Sequence, residues 1–180
     1  MIERILSIVI SVPIIVLCTY FGGVPFFLLV TSLALVSVNE FYNMMKTKGF
    51  SPFYTIGNFF TLFFIVFVQF TLKHPNWEPA SSAILTAAII TTVCAGVFIK
   101  RTAVSTANIA ITLFGILYIG WLFSFLVLVR SLTIHGAYLF FLMVAIWAND
   151  TVAYVVGVKL GKRQLSPYIS PKKTIEGSIA

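Results

Sequence analysis

The sequence predicts an all-α polytopic membrane protein, a transmembrane helical bundle of about six spans with both termini cytoplasmic. Three observations carry that expectation. Hydrophobic residues fill 59% of the 180 positions and charged residues only 9%, a balance foreign to soluble globular domains. The apolar residues fall in runs of about 20, enough for a helix rising about 1.5 Å per residue to cross a ~30 Å hydrocarbon core. The alternation of a transmembrane barrel strand is absent, which leaves helices as the backbone solution in lipid.

The runs place spans at 5–21, 24–41, 54–72, 81–99, 106–129 and 136–157. The first, "MIERILSIVISVPIIVLCTY", has the charge and apolar start of a signal peptide. Its long apolar run, the lack of a small-residue cleavage site and the immediate second span make it a membrane span instead. Pro13 bends it, a fault that neighbouring helices absorb. The connection "FGGVP" closes spans one and two into a tight hairpin.

Alternating six spans puts Arg4, Lys46, Lys48, Lys100, Arg101, Lys159, Lys162, Arg163, Lys172 and Lys173 on one side, and Lys73 and Arg130 on the other. Ten against two is a strong positive-inside asymmetry, so the side rich in cations is cytoplasmic. The net charge of +7 is then a topology signal that faces anionic membrane lipids, and nucleic-acid binding has no place in it. Cys18 and Cys94 lie inside spans with no CxxC or Cys/His spacing and read as small apolar residues. His74 and His135 have no carboxylate cluster near them in sequence and read as interfacial polar residues rather than ligands.

Chemistry concentrates at the end of the chain. Asp150, the single aspartate, lies nine residues before Lys159, about 13 Å along a helix. A carboxylate at that depth costs at least about 2.5 kcal/mol unless it meets a cavity, a cation or a partner. Ala145, Asn149, Ala153, Gly157 and Gly161 recur every four residues, a small-residue stripe for close helix packing. Asp150 therefore either bonds a neighbouring helix or lines a polar pocket open to the cytoplasm. Downstream, Ser170 and Pro171 have the form of an N-cap and an N1 proline. Lys172 and Lys173 then fall in the first helical turn, the wrong end for cations. A polyphosphate docked there reverses the sign, because it meets free N–H groups and two ammonium groups together. The alternative is that the lysines only hold the tail to anionic lipid. The expected domains are a transmembrane helical region, 1–157, and a cytoplasmic basic segment, 158–180, with the start of a phosphate-binding helix.

The stretch "NDTVAYVVGVKLGKRQLSPYISPKKTIEG" resembles the central motif region of the phosphatidate cytidylyltransferase family, and "NEFYNMMKTKGF" resembles its N-terminal half. In that family an Asp-Thr-Gly-Ala-Tyr segment leads through a Gly-Lys stretch to Ser-Pro-Lys-Lys-Thr-Trp-Glu-Gly. The resemblance implies a multi-pass membrane enzyme that joins CTP to phosphatidic acid with Mg²⁺, giving CDP-diacylglycerol and pyrophosphate, its active side facing the cytoplasm. It places Asp150 at the metal, with Lys172 and Lys173 catalytic, and Asn149, Ser170 and Thr174 in substrate binding. Val152 stands where the family has glycine, and Ile175 where it has tryptophan.

The family's C-terminal signature, with Lys-Arg, Lys-Asp, His-Gly-Gly and Asp-Arg-x-x-Asp elements, is not in this sequence. With Glu3, Glu40, Asp150 and Glu176 the only acids on the cytoplasmic half, two-metal chemistry lacks its usual converging carboxylates. The expectation is a chain that is inactive or incomplete alone, with a homodimer or a complementing C-terminal chain as partner. The other reading is a non-catalytic membrane scaffold or lipid- and nucleotide-binding remnant. A single aspartate excludes the CDP-alcohol phosphotransferases, and the lack of an internal repeat argues against a transporter.

Overall fold

The computed structural model describes residues 2–77, 80–98, 105–161, 163–166 and 170–179. Lys100, Arg101 and Lys162 lie outside them, so the basic count rests on the sequence there. By contacts the chain divides into two compact units, Met1–Gly136 and Ala137–Ala180, and the last span falls with the tail.

The first unit is built from α1 (Ile2–Phe21), α2 (Gly23–Thr47), α3 (Tyr54–Thr71), α4 (Ala80–Phe98), α5 (Ser105–Gly115), a π-helical turn (Ile116–Trp121) and α6 (Leu122–Ser131). A helix occurs at every expected span. Gly23–Thr47, Tyr54–Thr71, Ala80–Phe98, Thr106–Ser131 and Ile134–Leu160 are long and apolar enough to cross a membrane, while Val9–Phe21 of α1 is a shorter apolar helix. The predicted all-α membrane bundle is what the chain forms.

Between α1 and α2 the chain reverses at Gly22 and Gly23, both at positive φ (65° and 57°), where a side chain would be strained. Arg130 closes this end of the bundle. Its guanidinium donates from Nε to the Thr19 carbonyl and from Nη2 to the Tyr20 carbonyl (2.8 Å). The last carbonyls of α1, which have no partner within the helix, thus meet a cation at the negative end of the macrodipole. A Cβ on Gly22 would strike that guanidinium, so the turn glycine also makes room for the cap. His135 stacks on Tyr20, ring centroids 4.4 Å apart.

At the centre stands α3, which touches α2, α4, the π turn and α6. Phe60 and Phe64 pack with Ile84, Ala88 and Ile116 to form the apolar core. In lipid the hydrophobic effect gives little reason for helices to associate, so close fit and polar contacts must hold them. Tyr42 supplies both. Fully buried on α2, it fills a slot where a Cβ on Gly57 of α3 or Gly115 of α5 would overlap its ring. Its hydroxyl donates to the Thr112 carbonyl at 2.8 Å.

The π turn follows from the same packing. Gly115 faces Tyr42, while Gly120 lies against Thr61 of α3, where an added Cβ would come within 2.8 Å of the Thr61 Cα. Five residues along an α-helix rotate about 140° past a full turn, which would aim the two glycines apart. The i→i+5 bonding of a π turn brings residues five apart into line, so both glycines meet the α2–α3 surface.

Polar groups at the α2–α3 loop are paired inward. Asn39 and Asn58 exchange amide hydrogen bonds, each 2.9 Å. Asn108 Oδ1 of α5 accepts the Ser51 N–H at 2.8 Å, and Thr112 Oγ1 accepts the Phe53 N–H at 2.9 Å. Helix α5 therefore satisfies two donors of the loop between α2 and α3.

Candidate functional site

The second unit comprises α7 (Ala137–Leu160), an antiparallel hairpin of β1 (Gln164–Ser166) and β2 (Ser170–Thr174), and α8 (Ile175–Ile179). Asn149 and Asp150 lie on α7, and Ser170, Lys172, Lys173 and Thr174 make up four-fifths of β2.

That placement corrects the helix expected to start at Ser170 and Pro171. Residues Ser170–Thr174 form a strand, with Ser166 opposite Ser170 and Gln164 opposite Thr174. The helix starts at Ile175, so Lys172 and Lys173 precede it rather than occupy its first turn. Thr174, not Ser170, is the cap. Its Oγ1 accepts the Gly177 N–H at 3.2 Å, the bond an N-cap side chain makes to the third helical residue. Glu176 sits in the first turn, the sign the dipole favours, and its carboxylate accepts the Arg163 N–H at 3.3 Å. Pro171 is at home in β2 because the hairpin has only edge strands, where a missing N–H breaks no central ladder.

The small-residue stripe on α7 does accept a close neighbour, and that neighbour is the tail. A Cβ on Gly177 would fall 2.5 Å from the Ala153 carbonyl oxygen and 3.1 Å from the Gly157 Cα. A Cβ on Gly157 would fall 3.0 Å from Thr174 Oγ1, and one on Gly161 2.8 Å from the same oxygen. The backbones of α7 and α8 meet because glycine stands on both sides. Gly177 was not among the residues singled out from the sequence; the Thr-x-x-Gly spacing from cap to third helical position is its local signal.

Asp150 shares this face of α7. Seven residues separate it from Gly157, a rotation within about 20° of two full turns and a rise of about 10 Å. The carboxylate therefore stands two turns along the same helix face from the docked Ser-Pro-Lys-Lys-Thr segment. Asp150, Asn149 and Lys173 are exposed, and Ser170 and Thr174 half-buried. The side chain of Lys172 lies outside the described residues. Asn149 is rotated about 100° from Asp150, off the shared face.

Among the described residues no group of three or more His, Cys, Asp or Glu side chains could hold a metal ion. A single carboxylate nonetheless suits one class of ion. Mg²⁺ takes hard oxygen donors, and where a phosphate substrate is present it needs only one or two carboxylates from the protein. Asp150 fits that role as one donor.

Residues 2–180 match the family described as "Cytidylyltransferase family". The chain is similar to the phosphatidate cytidylyltransferase of Bacillus subtilis, 33% identical over 176 residues, covering 97% of this chain and 65% of the relative. It is similar to the phosphatidate cytidylyltransferases of Staphylococcus haemolyticus (27% identical) and Staphylococcus aureus strain COL (26% identical), covering 97% of this chain and 64% of each relative. The chain thus spans just under two thirds of the length of these curated relatives. No solved structure matches it. A family match that runs over residues 2–180 means that this protein belongs to the cytidylyltransferase family.

Proposed function

We propose that the chain supplies the nucleotide-binding part of a phosphatidate cytidylyltransferase site at the cytoplasmic face. The observation that carries this reading is the shared face of α7: Thr174 and Gly177 dock on Gly157 and Gly161, two turns from Asp150. A tail bearing two lysines is thereby tied to a helix bearing the chain's single aspartate.

In the proposed reaction an oxygen of the phosphatidate phosphate attacks the α-phosphorus of CTP. A P–O bond forms to the lipid phosphate, the bond to the β-phosphate oxygen breaks, and pyrophosphate leaves with the electron pair. Lys172 and Lys173 bind phosphate oxygens and offset their charge. Ser170 and Thr174 border the same groups, with Thr174 fixing the segment through its cap. Asn149, about 100° around α7 from Asp150, offers its amide to the substrate from the adjoining face. Mg²⁺, when bound, supplies charge neutralisation across the phosphates, with Asp150 as one of its oxygen ligands.

CTP affinity in nanodiscs tests the lysines. Lys172→Ala/Lys173→Ala should weaken it by about tenfold or more, since a hydrogen bond to a charged group is worth about 1.5–3 kcal/mol. Unchanged affinity in the double variant would sink the reading.

The absence of a metal-holding cluster among the described residues favours a second reading, a scaffold that binds nucleotide and lipid without turnover. Membranes containing only these 180 residues separate the two. If labelled CTP and phosphatidate give CDP-diacylglycerol, the scaffold reading fails; CTP binding without product that neither Mg²⁺ nor Asp150→Asn alters supports it.

A further inference from the structure

A cleft of about 390 Å³ opens in the first unit between α3, α4 and α6. Its walls are apolar, with Phe64, Phe67, Trp121, Phe125 and Leu128. Its mouth carries hydroxyls: Thr71 ends α3, Ser131 ends α6, and Ser81 is the second residue of α4. From Phe64 to Thr71 is seven residues, about 10 Å of helix, or two thirds of the ~15 Å that one leaflet's chains occupy.

Two further features mark the mouth as the level of the lipid headgroups. Trp77 is 57% exposed and meets Phe70 edge-on, centroids 6.2 Å apart, while His74 lies against the same ring at 4.6 Å. Such aromatic clusters sit at the membrane–water boundary. Lys73, exposed, directly follows Leu72, which lines the cleft. Lys73 and Arg130 are the two cations on the poorly charged side. Arg130 is committed to the end of α1. The hydroxyls of Thr71 and Ser131 donate into their own helices, which among the described residues leaves the Lys73 ammonium as the charged donor at the rim.

We propose that this cleft is a resident-lipid site. It takes one acyl chain of an anionic phospholipid from the leaflet at the end of the bundle where α3 ends and α4 begins, and Lys73 meets the lipid phosphate. An apolar slot between bundle helices with a few polar groups at one end is the form that amphiphile sites take. The site is separate from the proposed cytidylyltransferase chemistry, and its test does not depend on turnover.

Trp121 lines the cleft and can report on it. With Trp77→Phe and Trp147→Phe in the background, the full chain is placed in phosphatidylcholine nanodiscs holding a rising fraction of mid-chain-brominated phosphatidylglycerol. The expected result is saturable quenching of Trp121, displaced by unbrominated phosphatidylglycerol and about fivefold less well by phosphatidylcholine. One lysine near an anionic surface supplies a factor of that size. Lys73→Gln, a surface change, should abolish the preference while keeping the saturable quenching, and Ser81→Phe should remove the saturable quenching by closing the mouth. Quenching that rises in proportion to bulk lipid, or no quenching because protein covers the cleft, would overturn the site. A headgroup preference unchanged in Lys73→Gln would overturn the role of Lys73.

Discussion

Thr174 does two things with one oxygen. It caps α8 through the Gly177 N–H and lies against the glycine face of α7. Thr174→Val should therefore cost about 1 kcal/mol from the cap alone and speed amide exchange at residues 175–179. Gly177→Ala should have the larger effect, because its new methyl meets the Ala153 carbonyl. Exchange protection in α8 should be lost and CTP affinity should fall with it. Ile179→Ala, at a position 82% exposed, is the control and should change neither. The sequence exposed the cap type but misplaced it by four residues. Ser170 and Thr174 are both competent caps, and the choice between them is made by Gly177 and Gly157, which lie 20 positions apart and meet only in the fold.

At the scale of elements, span positions were legible because length and apolarity decide them in lipid. The π turn was not, since nothing in "GILYIGW" departs from an ordinary apolar helix. It appears because Gly115 must admit Tyr42 while Gly120 admits Thr61. Gly120→Leu should expel α3 from this helix and lower the melting temperature in detergent more than Gly23→Leu, where an added side chain meets only backbone strain and no neighbour within 4 Å. Equal shifts for the two would show that the close approach does not hold the bundle. The last turn of α1 was equally hidden. Arg130 counted in the sequence only as an exception to the charge rule, and its structural use lies 110 residues away, at the Tyr20 carbonyl.

For the whole molecule, orientation depends on how many helices cross. Among the described residues five qualify outright, and α1 decides the side of the N-terminus alone. Once Cys18 and Cys94 are replaced, cysteines at positions 48 and 159 should be shielded from an impermeant maleimide in intact cells, and one at 74 should react. A cysteine at position 3 then reads α1 by itself. It is shielded if α1 crosses and labelled if it does not. The site is legible to a similar degree: the motif residues stood out in sequence, but the face of α7 that Asp150 shares with Gly157 needed the docked tail to define it.

The pairing of Asn108 and Thr112 with the α2–α3 loop also carries a schedule. The Ser51 and Phe53 N–H groups find their acceptors 57 and 59 residues further along the chain. At synthesis rates of about 5–20 residues per second, that is a wait of roughly 3 to 12 s. During it the slot around Tyr42 has one wall, Gly57, and lacks the other, Gly115. The first three helices must therefore enter the bilayer as a loose group whose loop stays wet. Only the arrival of the fifth span can dry the loop, seat the tyrosine and turn the four helices before it into a bundle.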